Sequence, residues 1–201
     1  MRVVLGTRNA HKVDELRALL EGLPLEILSL SDFPDVPEVM EDGATLDDNA
    51  VKKATTVAAH TGLPSLADDT GLEVEALGGA PGVRSARYSG EDANTARNNE
   101  KLLSDLNGVP RERRSAAFRC VVALAIPGGG VSTVEGVTRG VILEEPRGEG
   151  GFGYDPLFLP DGHDRTYAEM TAVEKNAVSH RGKAIKRAGA LLRELVKHSG
   201  L

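Results

Sequence analysis

The first third of the chain alternates strand and helix signals in a way that few folds can accommodate. "RVVLGT" is a short β-rich run that stops at a glycine. "NAHKVDELRALLEGL" follows, with Val13, Leu16, Leu19 and Leu20 at helical spacing. "LEILSL" reads as a second strand and "FPDVPEVMEDGA" as an irregular, acidic connection. "TLDDNAVKKATTVAAHTG" then carries Thr45 three residues before Asp48, an acidic relative of the capping box, and closes on Gly62. "LPSLADD" makes a third strand. Beyond it come the glycine-rich "LGGAPGVRSARYSGED", a helical "ANTARNNEKLLSDLNG", and two β-rich runs, "SAAFRCVVALAI" and "VSTVEGVTRGVIL", around "PGGG". "SHRGKAIKRAGALLRELVKH" is a final helix with Ser179 as its candidate cap. The order βαβαβ, helix, hairpin, helix predicts an α/β fold. Its sheet is mixed, because a tight hairpin forces an antiparallel pair.

At 201 residues, with no long linker, repeat or low-complexity segment, the chain reads as one domain, 1–201, in one or two lobes. Its 30 acids against 24 Lys and Arg give a net charge of -6, which disfavours a nucleic-acid polymer as partner. A small phosphorylated ligand needs only a local cluster of donors and stays open. The single cysteine, Cys120, lies in the apolar run "CVVALAI" and offers neither a disulfide framework nor a thiolate metal site. No stretch approaches a membrane helix and "MRVVLG" is too short for a signal segment, so the expected setting is the cytoplasm.

Four segments concentrate chemistry. In "TRNAHK" a strand-to-helix junction points free N–H groups and a helix dipole at whatever lies above it. Thr7 and Asn9 add hydrogen-bond donors there, and Arg8, His11 and Lys12 add charge. The glycines and Lys-Ser/Thr pair of a P-loop are missing, so this is a different phosphate cradle. In "SLADDTGLEVEAL", Asp68 and Asp69 follow an apolar approach. Neighbours on a strand face opposite ways, so the two carboxylates are expected to do different work, with Thr70 and Gly71 turning the chain past a ligand. Hard carboxylate oxygens suit Mg²⁺, and Glu38, Glu41 or Asp42 of "EVMEDG" could complete such a site. "GFGYDP" sets two aromatic rings among glycines, suited to stacking on a planar group. "EKNAVSHRG" supplies donors from Lys175, His180 and Arg181. Each segment alone also fits a solvated loop or a capped helix. Together they supply what a nucleoside triphosphate requires.

These segments carry a resemblance to the inosine/xanthosine triphosphate pyrophosphatase family. "TRNAHK" is similar to that family's Thr/Ser-x-Asn-x-x-Lys, "ADDTGLEVEALGGAPGVRSARY" to its longest signature, and "GFGYDPLF" and "EKNAVSHRGKA" to the remaining two, in order along the whole chain. The resemblance implies a two-lobed α/β structure around a long mixed sheet flanked by helices, with the active site in the cleft between lobes, and a homodimer. It implies Mg²⁺-dependent hydrolysis of ITP, dITP or XTP to the monophosphate and pyrophosphate. By the same resemblance Thr7, Asn9 and Lys12 hold the triphosphate, while Arg8, Ala10 and His11 contribute through their backbone. Asp69 is general base or metal ligand with Asp68 in support, and Thr70 touches substrate. Phe152, Gly153, Tyr154 and Asp155 line the base pocket, and Lys175, His180 and Arg181 complete base recognition. Glu41 is the best match to the second metal-binding acid, with Glu38 and Asp42 close by.

Two other readings compete. A pyrophosphatase for pyrimidine or modified-base triphosphates is disfavoured by "SHRG" and "GFGYDP". A nucleotide sensor without turnover is disfavoured by the intact acid pair.

Overall fold

The structure, a computed structural model, describes residues 1–92 and 94–198. Hydrogen bonding orders the strands β2-β1-β3-β5-β6-β7, with β4 added to β3. β1 (Arg2–Leu5) pairs in parallel with both β2 (Glu26–Ser29) and β3 (Ser65–Val74). β3 pairs antiparallel with β4 (Pro81–Gly82), and β6 (Val131–Ile142) antiparallel with β7 (Phe158–Pro160). The sheet is therefore mixed, as the hairpin signal predicts. β5 (Ser115–Ala125) leads into β6 through the "PGGG" turn, closed by hydrogen bonds from Ile126 N–H to Gly130 O and from Gly129 N–H to Ile126 O.

The chain divides into two compact units. The first comprises Met1–Asp69, Cys120–Gly136 and the segment that begins at Arg181. Here β1 is apolar on both faces, as a parallel strand covered on both sides must be. Val3 and Leu5 pack with Leu16 and Leu20 of α1 (Ala10–Leu20) and with Ala184, Ile185, Ala188 and Leu192 of α5 (His180–His198). Val4, one residue out of phase, packs instead with Leu30, Val36 and Val57, the last from α2 (Leu46–Thr61). Cys120 is fully buried in the first of these clusters, as expected for a core thiol. The α2 capping box forms as the sequence predicts: Thr45 accepts from Asp48 N–H, Asp48 accepts from Thr45, and Gly62 closes the helix in the left-handed region.

The second unit comprises Thr70–Arg119 and Val137–His180. Its core joins Leu72 and Val74 with Leu102 and Leu106, which close on α3 (Thr95–Asp105), and with Phe118, Ile142, Tyr154, Leu157, Phe158 and Tyr167. Ala93, where the expected helix begins, lies outside the described residues. Asn94 caps α3 instead, accepting from Arg97 N–H. Buried Arg114 donates to the carbonyls of Leu106, Val109 and Leu143, holding the far end of α3.

Three local expectations change. β3 does not turn at Thr70–Gly71 but continues to Val74, because Leu72 and Glu73 pair with β4 and Leu72 N–H donates to Ser85 Oγ. The glycine-rich run "GEGGFGYDPLFLPDG", which carries no strand signal, ends in a strand, β7, too short to show a period. "EKNAVSHRG" is not one helix start: α4 (Ala172–Val178) ends at Ser179, which is extended, before α5 begins. Among the described residues no helix is long and apolar enough to cross a membrane.

Candidate active site

In the first unit, the β1–α1 junction builds a helix start rich in donors. Asn9 is the N-cap of α1, its Oδ1 accepting from Lys12 N–H at 3.3 Å, while Thr7 Oγ1 accepts from Asn9 N–H at 3.2 Å. The cap uses the amide oxygen, so the side-chain NH₂ and the Ala10 N–H at the helix start are left for an anion. Arg8, Ala10 and His11 are exposed, and Arg8 donates to Val36 O at 2.7 Å. Arg8 thus ties the junction to the β2–α2 connection.

Behind this junction lies the acid pair, both residues buried at the end of the unit's share of β3. Asp68 Oδ2 receives Lys12 Nζ at 3.0 Å and both Nε and Nη2 of Arg181 at 3.3 Å. Arg181 is itself buried and also pairs with Glu15 of α1. Burial by itself would raise the Asp68 pKa, but the charges of Lys12, Arg181 and Lys53 outweigh it and hold the carboxyl far below its ordinary range. Burial likewise opposes the Arg181 charge, and Asp68 with Glu15 overcomes it, keeping the guanidinium above its usual value.

Asp69 faces other partners. Its Oδ1 lies 3.0 Å from Lys53 Nζ and its Oδ2 accepts from Asn49 Nδ2 at 3.2 Å. Burial raises its pKa, the Glu41 charge adds to that, and Lys53 and Lys12 only partly offset it. Lys53 is buried too. Burial would lower its pKa, yet Asp69, Asp68 and Glu41 together push it up, so it stays a cation. Consecutive aspartates are thus driven in opposite directions, Asp68 down and Asp69 up. Environments that push two neighbouring carboxylates apart in this way suit them to different roles.

The acidic loop meets this group through Lys53, whose Nζ is 2.7 Å from Glu41 Oε1. Exposed Asp42 instead pairs with half-buried Lys52 at 2.6 Å, which lowers the Asp42 pKa, and Glu38 is exposed. Of the three acids, Glu41 is the one brought to Asp69. Two hard oxygen donors, Glu41 Oε1 and Asp69 Oδ1, converge on one positive centre. That donor set fits Mg²⁺, which takes one or two protein carboxylates and completes its shell with water and phosphate. Among the described residues no group of three or more His, Cys, Asp or Glu side chains gathers as a metal site.

Lys53, Asn49 and Glu15 lie outside the segments that concentrate chemistry in the sequence. A signal for two of them exists. Leu46, Asn49, Ala50, Lys53, Ala54, Val57 and Ala58 form the buried stripe of α2, and Asn and Lys at positions that should be apolar mark polar work inside the fold. Glu15, three residues after Lys12 on α1, carries no such mark.

In the second unit, the glycine loop before β7 is strapped down at several points. Thr166 Oγ1 donates to Arg147 O at 2.8 Å, Gly150 N–H to Ala168 O at 3.1 Å, and Arg147 donates to Asp164 O and Glu169. Gly148, at φ +83°, lies so close to residue 168 that a Cβ would stand 2.6 Å from its carbonyl carbon. Buried Asp155 accepts from Phe152 N–H at 2.8 Å and from Lys175 Nζ at 2.7 Å. Lys175 Nζ also sits 4.7 Å from the Phe152 ring centroid, so a cation backs the ring. Asn99 Nδ2 donates to Gly153 O at 3.1 Å. Tyr154 differs from its neighbours: its ring is in the core and its hydroxyl donates to Ser85 O at 2.8 Å, with burial raising its pKa. It anchors the loop. His180 stacks on Phe118, centroids 4.5 Å apart and planes 11° from parallel, beside Tyr167. Thr70, half-buried in β3, opens this unit. The long "GGAPGVRSARY" signature is held by Ser85 Oγ, which bridges Leu72 N–H and Gly82 O, and by Asn98, which binds Ser89 and Ala86. Consecutive residues His180 and Arg181 fall in different units, so Arg181 joins the acid pair and His180 the aromatic group.

A mixed α/β fold that buries a split acid pair among lysine and arginine behind a capped helix start defines a phosphate-handling protein. The Ham1 family profile matches residues 3–190. The chain is 56% identical over 200 residues, 100% of its length and 98% of the other's, to a dITP/XTP pyrophosphatase of Geobacter sulfurreducens. It is 52% identical to a protein of that name from Desulforamulus reducens, covering 98% of each. A solved HAM1 protein from Coxiella burnetii superposes with a TM-score of 0.88 at 42% identity, covering 96% of this chain and 99% of that one. The chain belongs to the Ham1 family.

Proposed function

We propose that this protein hydrolyses non-standard purine nucleoside triphosphates, dITP, ITP and XTP, to the monophosphate and pyrophosphate. The observation that carries this reading is the full-length likeness, 56% identical, to a protein named dITP/XTP pyrophosphatase. The chemistry of both groups of residues supports it. In the first unit, the Ala10 N–H at the start of α1, the Asn9 side-chain NH₂ and the Lys12 ammonium offer the triphosphate a cradle of donors. Asp69, buried with its pKa raised, takes the proton of the attacking water. Lys53 stays cationic beside it and opposes the charge that grows on the phosphoryl oxygens. Asp68 stays ionised and holds Lys12 and Arg181 in place. Glu41 and Asp69 would hold Mg²⁺, whose chemistry there is neutralisation of phosphate charge and acidification of water.

In the second unit, the Phe152 ring and the His180 and Lys175 donors suit a planar purine. Hypoxanthine and xanthine offer a 6-carbonyl acceptor to such donors, whereas the 6-amino group of adenine would leave them unpaired at a cost of about 1–3 kcal/mol. A cytoplasmic homodimer completes the reading; the single, buried cysteine agrees with a reducing compartment. The decisive assay incubates the protein with XTP, dITP or ATP and Mg²⁺ and separates the products. Pyrophosphate and monophosphate from XTP and dITP, with little from ATP, is the expected result. Orthophosphate release, or no turnover, would overturn it.

A further inference from the structure

We infer that Asn49 is a positioning residue that keeps Glu41 and Asp69 gathered for a divalent cation, independently of Lys53. The inference rests on the reading of those two acids as metal ligands.

Asn49 is 1% exposed and lies four residues before Lys53, on the same face of α2. Its amide makes two bonds of opposite sense. Oδ1 accepts from Gly43 N–H at 2.8 Å, and Nδ2 donates to Asp69 Oδ2 at 3.2 Å. Reversing the amide would set NH₂ against an N–H and an oxygen against a carboxylate, so chemistry fixes its orientation. Gly43 lies directly on the first turn of α2: a Cβ there would stand 2.6 Å from Asp48 Cβ and 2.7 Å from Asn49 Oδ1. The loop that carries Glu41 is thereby fastened two residues downstream of it, to the side chain that also grips Asp69.

Lys53 makes a parallel tie by charge, 2.7 Å from Glu41 Oε1 and 3.0 Å from Asp69 Oδ1. That tie cannot survive intact when a divalent cation takes the same oxygens, since two positive centres repel strongly at such range. The Asn49 tie can. It is neutral, and it uses Oδ2 of Asp69 while Lys53 uses Oδ1. Two ties of different kinds thus join the acidic loop to Asp69, one that yields to the cation and one that persists.

The test measures Mn²⁺ binding to the full chain by electron paramagnetic resonance, and hydrogen exchange of residues 40–44, in wild type, Glu41→Gln and Asn49→Ala. Wild type is expected to bind Mn²⁺ and E41Q to lose it. In N49A the affinity should fall about tenfold or more, as for other groups that orient metal ligands, and Gly43 N–H should exchange faster. A role confined to stability would lower the melting midpoint of N49A yet leave Mn²⁺ affinity of the folded protein unchanged, and that result overturns the inference. Equal Mn²⁺ binding by wild type and E41Q, or none by wild type, overturns the metal reading itself and the inference with it. Should N49A not fold, Asn49→Ser, too short to reach both partners, is read by the same criteria.

Discussion

Arg181 and Asp68 are 113 residues apart in the chain, yet Nε and Nη2 of the guanidinium both lie 3.3 Å from the same carboxylate oxygen, with both side chains sealed from solvent. Glu15 takes a further guanidinium nitrogen. Removing the arginine leaves two acids with less compensation inside the fold. Arg181→Ala should therefore cost about 3–5 kcal/mol of stability, the range for breaking a buried pair. Arg181→Lys should recover only part, because an ammonium cannot reproduce the fork. Urea unfolding of the three proteins measures this; an R181A midpoint equal to wild type would mean the pair is not holding the unit.

Asp69→Asn removes the group assigned to take the proton and one of the two acids at the candidate metal site. kcat should fall by about 10²–10⁴, the usual worth of a general base, with nucleotide still bound in a fluorescence or calorimetric titration. Turnover close to wild type would remove Asp69 from the mechanism.

Gly148→Ala forces a side chain into the left-handed region and against the backbone of Ala168. The expected loss is about 1–3 kcal/mol from backbone strain, read as a lower thermal midpoint. KM for XTP should rise more than kcat falls, since the strap positions the Phe152 loop and not Asp69. An alanine variant with unaltered midpoint and KM would show that the loop does not need this close approach.

Acid should weaken the first unit through Asp68. Its carboxyl is held well below the ordinary value of 3.8 by Lys12, Arg181 and Lys53 despite its burial. A depressed folded pKa gives stability that is fully present above 3.8 and is lost as pH falls below it, because the unfolded chain then binds the proton first. Asp69, with its pKa raised, acts in the opposite sense and is relieved by the same protonation. Chemical unfolding of wild type and Asp68→Asn between pH 5 and 2.5 should show the wild type losing stability the more steeply; parallel curves would contradict the assignment.

Most of the architecture was legible because its signals are local. The α2 capping box, the Gly62 stop, the "PGGG" hairpin and the apolar β1 each act within a few residues. β7 and α4 escaped because three and seven residues are too short for a period to show. The donor-rich β1–α1 loop and the acid pair stand out by residue type and spacing, whereas the preference for Glu41 over Glu38 and Asp42 rests on the family resemblance. Lys53 and Asn49 do not stand out, since on a helix they read as ordinary polar residues until the buried stripe is traced.

The sequence by itself determined which residues are chemically able to act: the acids, the helix-start donors, the aromatic loop and the lysine and histidine near the last helix. Only the tertiary structure decided how they share the work. It set Asp68 against Lys12 and Arg181 and Asp69 against Lys53 and Asn49, placed Tyr154 in the core, and paired Asp155 with Lys175. The physical reason is that a carboxylate's proton affinity depends on burial and on the charges within a few ångströms. Those charges come from α1, α2 and α5, and nothing in "ADDTG" itself says which of them will stand beside which acid.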